Sequence, residues 1–328
     1  MGRSKSFEVV GVIDRAPDRA GKVARERRFA HHAVTDDLAA VPWLDQVDAV
    51  TIATAPGGHY QLARQALQLG KHVLTEKPFT MTVAEGDDLV STARTAGRQL
   101  AIVHNFQFAR SMQRLKADLQ AGRLGTIASV RAVQLGNPNR RLPVWYEELP
   151  LGLFYDESPH LLYLMRCVAG PLRLVRALTV GSRHGLKTPG RIDAYFAGES
   201  ASYPVTLHCN FESPVSEWYL IVFGTDRLAI VDVFRDIYIS LPNDGTHDTA
   251  RVVRTSIVAT AQHWLQHFTS GWGHITGRLV YGNDEVFGRF ARAIEGDVDA
   301  LVPVGPESAL AILKLQHDII ERHEDVYG

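Results

Sequence analysis

The chain has 328 residues, 45% of them apolar, and a formal net charge of −1. That length supports a large core split over two domains, and the balanced charge argues against nucleic acid or an anionic membrane as partner. Two cysteines, Cys167 and Cys209, give no sign of a disulfide framework, no apolar run nears the roughly 20 residues of a membrane span, and the stretch from Phe7 to Ile13 is too short for a secretory core, so a cytoplasmic protein is expected.

The segment FEVVGVID reads as a buried strand closed by the carboxylate of Asp14, and Pro17 opens a polar helix. From Phe7 to about His104, short β-branched runs alternate with amphipathic stretches. The strands are EVVGVI, DAVTIAT from Asp48, KHVLTE from Lys71 and QLAIVH from Gln99. Between them, HYQLARQALQLG from His59 and TVAEGDDLVSTARTAG from Thr82 repeat apolar residues at helical spacing and stop at Gly70 and Gly97. Such alternation predicts a parallel sheet with right-handed crossovers, which sets residues 53–59 and 75–78 on the same sheet edge as Asp14.

In a dinucleotide-binding sheet, a strand ending in an acid is the second one, its carboxylate holds the adenosine ribose, and a glycine-rich phosphate turn lies upstream. Only six residues precede Phe7 and none makes such a turn. The expectation is a Rossmann-like domain over residues 1–105 that is N-terminally incomplete, with Met1 and GRSKS as remnants of a first helix and turn. The absent strand would be central, between those beginning at Glu8 and Ala49.

After His104 the pattern changes. A helix from about Ala109 to Ala121 precedes IASVRAVQL, a loop GNPNRRLPVWYEELP, and a helix from about Pro159 to Ala169. Strand-like runs with hairpin punctuation follow: LRLVRALTVGS, ASYPVTLHCNF, EWYLIVFGTDRLAIVDV and RDIYISLPNDG. These predict a second α/β domain over residues 106–328 with a large, mostly antiparallel open sheet. DEVFGRFARAIEGD and PESALAILKLQHDIIERHEDV are helical by period. The string Gly271 to Gly277 follows a polar, His-rich stretch in place of a buried strand, so it fails as a phosphate loop.

Two segments carry chemistry. In TEKPFT, Pro78 disfavours helix at Lys77, which keeps the ammonium at the strand edge, where it can stabilise a developing alkoxide; a solvated lysine in a surface turn is the plainer alternative. In GLFYDESPHLLYLMRCV, Asp156 and His160 stand four apart, and a carboxylate beside an imidazole suits general acid–base work. Ser158 as cap and Pro159 in the first turn would leave Asp156 in the preceding loop, and an ordinary helix start with an incidental histidine is the alternative there.

Together, Glu76-Lys77-Pro78 followed by Asp156-x-x-x-His160 resemble the Gfo/Idh/MocA family of nicotinamide-dependent oxidoreductases; the ATAPGGH segment, the intervening length and the C-terminal GRFARAIEGD and PESALAILKL are also similar to it. The resemblance implies a hydride transfer between NAD(P) and a hydroxyl-bearing carbon of a sugar, cyclitol or similar polyol. It implies that Lys77 contacts the nicotinamide ribose and the reacting oxygen, that His160 acts as acid or base, and that Asp156 orients substrate or histidine. It further implies that Thr54, Pro56 and His59 line the cofactor, with Glu76 and Asn105 at the nicotinamide end; for His59, helix capping or a solvated loop is the alternative.

Asp14 favours NAD, since a carboxylate accepts from ribose hydroxyls and repels a 2′-phosphate, while Arg15 beside it leaves NADP possible. Arg141, Trp145 and Tyr146, with Arg140, suit a polyhydroxylated ring. No metal is expected. The exposed face of the second-domain sheet predicts a homodimer or homotetramer. The absent strand leaves two alternatives: a cofactor-poor sugar-binding or structural homologue, and a non-redox glycosidase or lyase of the same fold.

Overall fold

The computed structural model describes residues 6–199, 202–276 and 281–326. It divides into two compact units: one holds the described residues up to His104 together with Asp284–Leu313, the other Asn105–Asn283 and those from Lys314 on.

In the first unit, β1 (Gly11–Asp14) leads into α1 (Pro17–Arg27), which opens on Pro17 and ends where Arg28 turns left-handed at φ 58°. Ala20, Gly21 and Ala24 form its buried face. The chain returns as β2 (His31–Val34), which pairs with β1 in parallel. The sequence reading contained no strand here, because HHAV is too short and too polar to show a period. Next come β3 (Ala49–Ile52), α2 (His59–Gln68), β4 (His72–Thr75), α3 (Val83–Ala96) and β5 (Leu100–Ile102). Thr82 and Glu85 form a reciprocal capping box at the start of α3, and Gly97 ends it at φ 61°.

Strands β3, β4 and β5 form a second parallel sheet, and among the described residues it is not joined to β1–β2. Residues 1–5, which hold all but Ser6 of the expected remnant of a first helix and turn, lie outside the described residues.

In the second unit, α4 (Arg110–Gln120) precedes the long strand β6 (Ile127–Leu135). The N-terminus of α4 is capped from afar: both carboxylate oxygens of buried Asp236 accept from its first N–H groups, Arg110 N at 3.3 Å and Ser111 N at 2.8 Å. Then come α5 (Leu153–Ala169), β7 (Leu172–Val180), β8 (Arg191–Gly198), β9 (Pro204–Asn210), β10 (Glu217–Gly224), β11 (Arg227–Asp232) and β12 (Ile237–Pro242). Helices α6 (Thr249–Gln266) and α7 (Trp272–Ile275) are joined by a π-helical turn; α8 (Asn283–Ile294) and the first half of α9 (Pro306–Arg322) fall in the first unit, and the rest of α9 and β13 (His323–Asp325) in the second.

The sheet runs β12-β11-β10-β6-β9-β8-β7-β13 and is antiparallel except at β6–β9 and β7–β13. Its strands alternate: in β10, Trp218, Leu220 and Val222 are buried while Tyr219, Ile221 and Phe223 are half-exposed. The buried face carries α5 and α4.

Two features differ from expectation. The segment 284–313 packs with the first unit and not with the rest of the C-terminal half. Ile102 N donates to Val304 O at 2.8 Å, Phe7 stacks on Phe290, and the bare Cα of Gly86 lets Leu310 and Leu313 approach to where a Cβ would meet them at 3.0 and 3.1 Å. These contacts are long-range and leave no mark in local periodicity. In addition, α5 begins at Leu153, so Pro159 lies inside it and Ser158 is not its cap. A proline there frees the carbonyl four residues back, on Tyr155. Gln316 Nε2 donates to that carbonyl at 2.7 Å and also contacts Ser158 Oγ at 2.9 Å, so the missing helix bond is replaced from α9.

Candidate functional site

In the first unit, the candidate residues sit at the ends of parallel strands. Asp14 closes β1; its Oδ1 accepts from Ala16 N at 2.8 Å, which fixes the turn into α1, and its Oδ2 lies 3.4 Å from Arg19. The carboxylate stays one-quarter exposed and Arg15 is exposed. Past β3, Thr54 is exposed and Pro56 buried, and Pro56–Gly58 make a 3-10 turn into α2. Past β4, Glu76 and Lys77 are half-buried, and Pro78 follows Lys77 through a cis bond.

His59 binds the two loops together. Its ring is fully buried, Nδ1 lies 2.7 Å from the carbonyl of Pro78, and Nε2 lies 3.1 Å from the carbonyl of Thr54. The histidine thus spans the 54–58 and 76–78 segments from beneath. Neither capping nor a solvated loop describes this arrangement; the position of a histidine between two sheet-edge loops is a tertiary fact.

In the second unit, Asp156 and His160 both belong to α5 and, four residues apart, share one face. The α5 N-terminus is set by Gly152, at φ 56°, and by Thr188, whose Oγ1 accepts from Leu153 N at 2.9 Å. A Cβ on Gly152 would stand 2.0 Å from that oxygen.

His160 is buried within aromatic rings: Phe106 edge-on with centroids 4.9 Å apart, and Trp218 at 5.4 Å. Its Nδ1 lies 2.9 Å from the hydroxyl of Tyr163, which in turn accepts from Phe106 N at 3.1 Å. Tyr163 was not singled out from the sequence; its three-residue offset from His160 on one helix is the signal that could have found it.

Asn105 is buried and opens the 3-10 turn that carries Phe106. Trp145 and Tyr146 lie half-buried on a 3-10 turn, Val144–Glu148, and Arg141 is exposed. Tyr146 has its phenol raised by burial and by neighbouring Glu147. Arg140 is bound: its Nη2 meets Glu157 Oε1 at 2.6 Å, and Gln134 donates to the other oxygen of that carboxylate. Since Glu157 adjoins Asp156, this ion pair ties the loop to α5. Glu157 and Gln134 were missed as well, because neither belongs to a recognisable spacing.

Burial pushes both thiols, Cys167 and Cys209, up, which disfavours the thiolate. Among the described residues, no group of three or more His, Cys, Asp or Glu is placed to hold a metal, and no helix is long and apolar enough to cross a membrane. Gly277 of the glycine string lies outside the described residues.

The residues present fit a dinucleotide at the first unit. A partly exposed carboxylate ends β1, and around Gly57 an added Cβ would meet nothing within 4 Å, so a ligand can approach that backbone.

Comparison with known proteins points the same way. Residues 1–104 match the GFO_IDH_MocA family, described as an oxidoreductase family with an NAD-binding Rossmann fold. The chain is 32% identical over 238 residues to scyllo-inositol 2-dehydrogenase (NADP(+)) IolU of Bacillus subtilis, covering 70% of this chain and 69% of that one. It is 37% identical over 115 residues to a UDP-N-acetylglucosamine 3-dehydrogenase of Acidithiobacillus ferrooxidans, covering 35% and 34%. The chain's match thus spans only about a third of the length of several curated relatives. A crystal structure of a putative NADPH-dependent oxidoreductase from Desulfitobacterium hafniense shares the fold, with a TM-score of 0.78 at 15% identity over 97% of this chain and 89% of that one.

Proposed function

The chain belongs to the Gfo/Idh/MocA oxidoreductase family, and from that premise we propose that it transfers a hydride between a nicotinamide dinucleotide and the hydroxyl-bearing carbon of a sugar, cyclitol or similar polyol. The observation that carries this reading is the pairing of Asp156 and His160 on one face of α5, with the histidine ring held through Nδ1 by Tyr163. A ring so held can move a proton in a fixed direction.

Asp14 would hold the adenosine ribose, the 54–58 loop and Glu76 would flank the dinucleotide, and Asn105 would meet its nicotinamide end. The bound nicotinamide supplies the two-electron acceptor or donor. His160 takes the hydroxyl proton on oxidation and returns it on reduction, Lys77 stabilises the charge that develops on the oxygen, and Asp156 orients substrate or ring. Arg141, Trp145 and Tyr146 would face the polyol, their loop anchored by Arg140 and Glu157. Asp14 leans the cofactor preference to NAD. Arg19 at 3.4 Å and exposed Arg15 partly offset its charge, which keeps NADP within reach. The half-exposed face of the second-unit sheet would join copies into a homodimer or homotetramer.

The separation of β1–β2 from β3–β4–β5 favours a second reading, a sugar-binding protein of poor nicotinamide affinity. Titration with NADH and NADPH separates the two. Micromolar binding, with turnover on a panel of polyols that falls by about 10²–10⁴ in His160→Ala, supports the dehydrogenase. Binding of polyols with no nicotinamide binding supports the alternative.

A further inference from the structure

Helix α6 is fastened to the sheet by one face only. Gln262 accepts from Ser240 N at 2.7 Å and donates to Ser240 O at 3.0 Å, and Gln266 makes the same two-way contact with Tyr238. On the opposite face, Val253, Ile257, Trp264 and Leu265 of α6, continued by Phe268 in the π-helical turn and Trp272 at the start of α7, are between 52% and 71% exposed. Trp264 and Phe268, one turn apart, lie ring to ring at 6.1 Å.

The three aromatic side chains, at about 150–250 Å² each, present on the order of 400 Å². With the aliphatic ones the stripe exceeds the roughly 300–600 Å² of the largest apolar patch on a typical monomer. It approaches the roughly 800 Å² that each partner buries in a stable complex.

We propose that this stripe packs against the same stripe of a second copy of the chain, the two α6 helices running antiparallel across a twofold axis. A twofold interface needs a self-complementary patch, and a stripe apolar along its length is one. From Thr249 to Thr276 there is no acidic residue, and the arginines, Arg251 and Arg254, lie near one end. Antiparallel pairing about Ala261 keeps the two arginine pairs about 20–30 Å apart at 1.5 Å rise per residue, whereas parallel pairing would bring them together. Exposed Ala261, at the middle of the stripe, gives the two backbones room to approach at the axis. A helix built for a lipid surface carries cations along its whole polar face, which this one does not. The contact is separate from the open sheet face and independent of the proposed activity.

The test is sedimentation velocity on the full chain and four variants. The wild type should be oligomeric. Trp264→Glu and Phe268→Glu should each yield a smaller species, with a dissociation constant raised at least about 30-fold and unchanged circular dichroism. Ala261→Cys should form a disulfide-linked dimer on mild oxidation, a readout that does not depend on introducing a charge. A monomeric wild type overturns the proposal. So does an oligomer that survives both glutamate variants and is lost in Ile221→Glu on the open sheet face. Flotation of a monomeric chain with phosphatidylglycerol vesicles overturns it in favour of a lipid surface.

Discussion

The hydroxyl of Tyr163 lies 2.9 Å from Nδ1 of His160, three residues back on the same helix, and accepts a hydrogen bond from Phe106 N. The tyrosine therefore couples the candidate acid–base residue to the first turn of the second unit. Tyr163 is a positioning residue: Tyr163→Phe keeps the ring and removes the bond. Turnover should fall about 10–100-fold with the KM for the dinucleotide unchanged and the pH profile displaced. An unchanged pH profile would assign Tyr163 to packing alone.

His59 supplies a second prediction, from burial. Two carbonyls, those of Thr54 and Pro78, depend on one ring. His59→Phe removes both contacts and leaves the buried Pro78 carbonyl unbonded, which should cost about 1–3 kcal/mol in denaturant unfolding. Nicotinamide affinity should fall with it, because the two loops it ties flank the proposed cofactor.

Gly152 is constrained twice, by φ 56° and by Thr188 Oγ1 at 2.0 Å from where a Cβ would sit. Gly152→Ala should lower stability by about 1–3 kcal/mol. Since the same threonine caps α5, the helix that carries Asp156 and His160 should show faster amide exchange over its first turn than in the wild type.

His72 supplies a pH prediction. Burial, aided by the positive charge of Arg98, holds its imidazole below the ordinary value of 6.5, and Nδ1 accepts from Gln99 N at 2.9 Å, which requires that nitrogen unprotonated. Below pH 6.5 the unfolded chain binds the proton more readily than the folded one, so this contribution is complete above that pH and is lost as pH falls. The urea midpoint should drop from pH 7 to pH 5, and less steeply in His72→Gln.

Much of this protein was legible in sequence because its determinants are local. Strand β6 matches the apolar run IASVRAVQL residue for residue. Thr82 and Gly97 bracket α3 by cap chemistry that acts within a few residues. The order of Glu76-Lys77-Pro78 and Asp156-x-x-x-His160 placed the family. What escaped was short, polar or long-range: β2, too brief to show a period; β8, whose RIDAYFAG is in none of the expected strand runs; and α6, whose apolar stripe faces away from the core.

By itself the sequence determined the two kinds of sheet, the succession of most strands and helices, and the residue types available for proton transfer, since period, caps and residue chemistry act over a few positions. Only the tertiary structure decided that α5 runs through Pro159, because the carbonyl that proline frees is satisfied by Gln316, more than 150 residues away. Only it decided that segment 284–313 joins the first unit, and that His160 is held by Tyr163 among rings from two other elements. Each of these depends on groups that meet across long loops, and no local pattern in a chain records which distant group will satisfy a buried carbonyl or steady a ring.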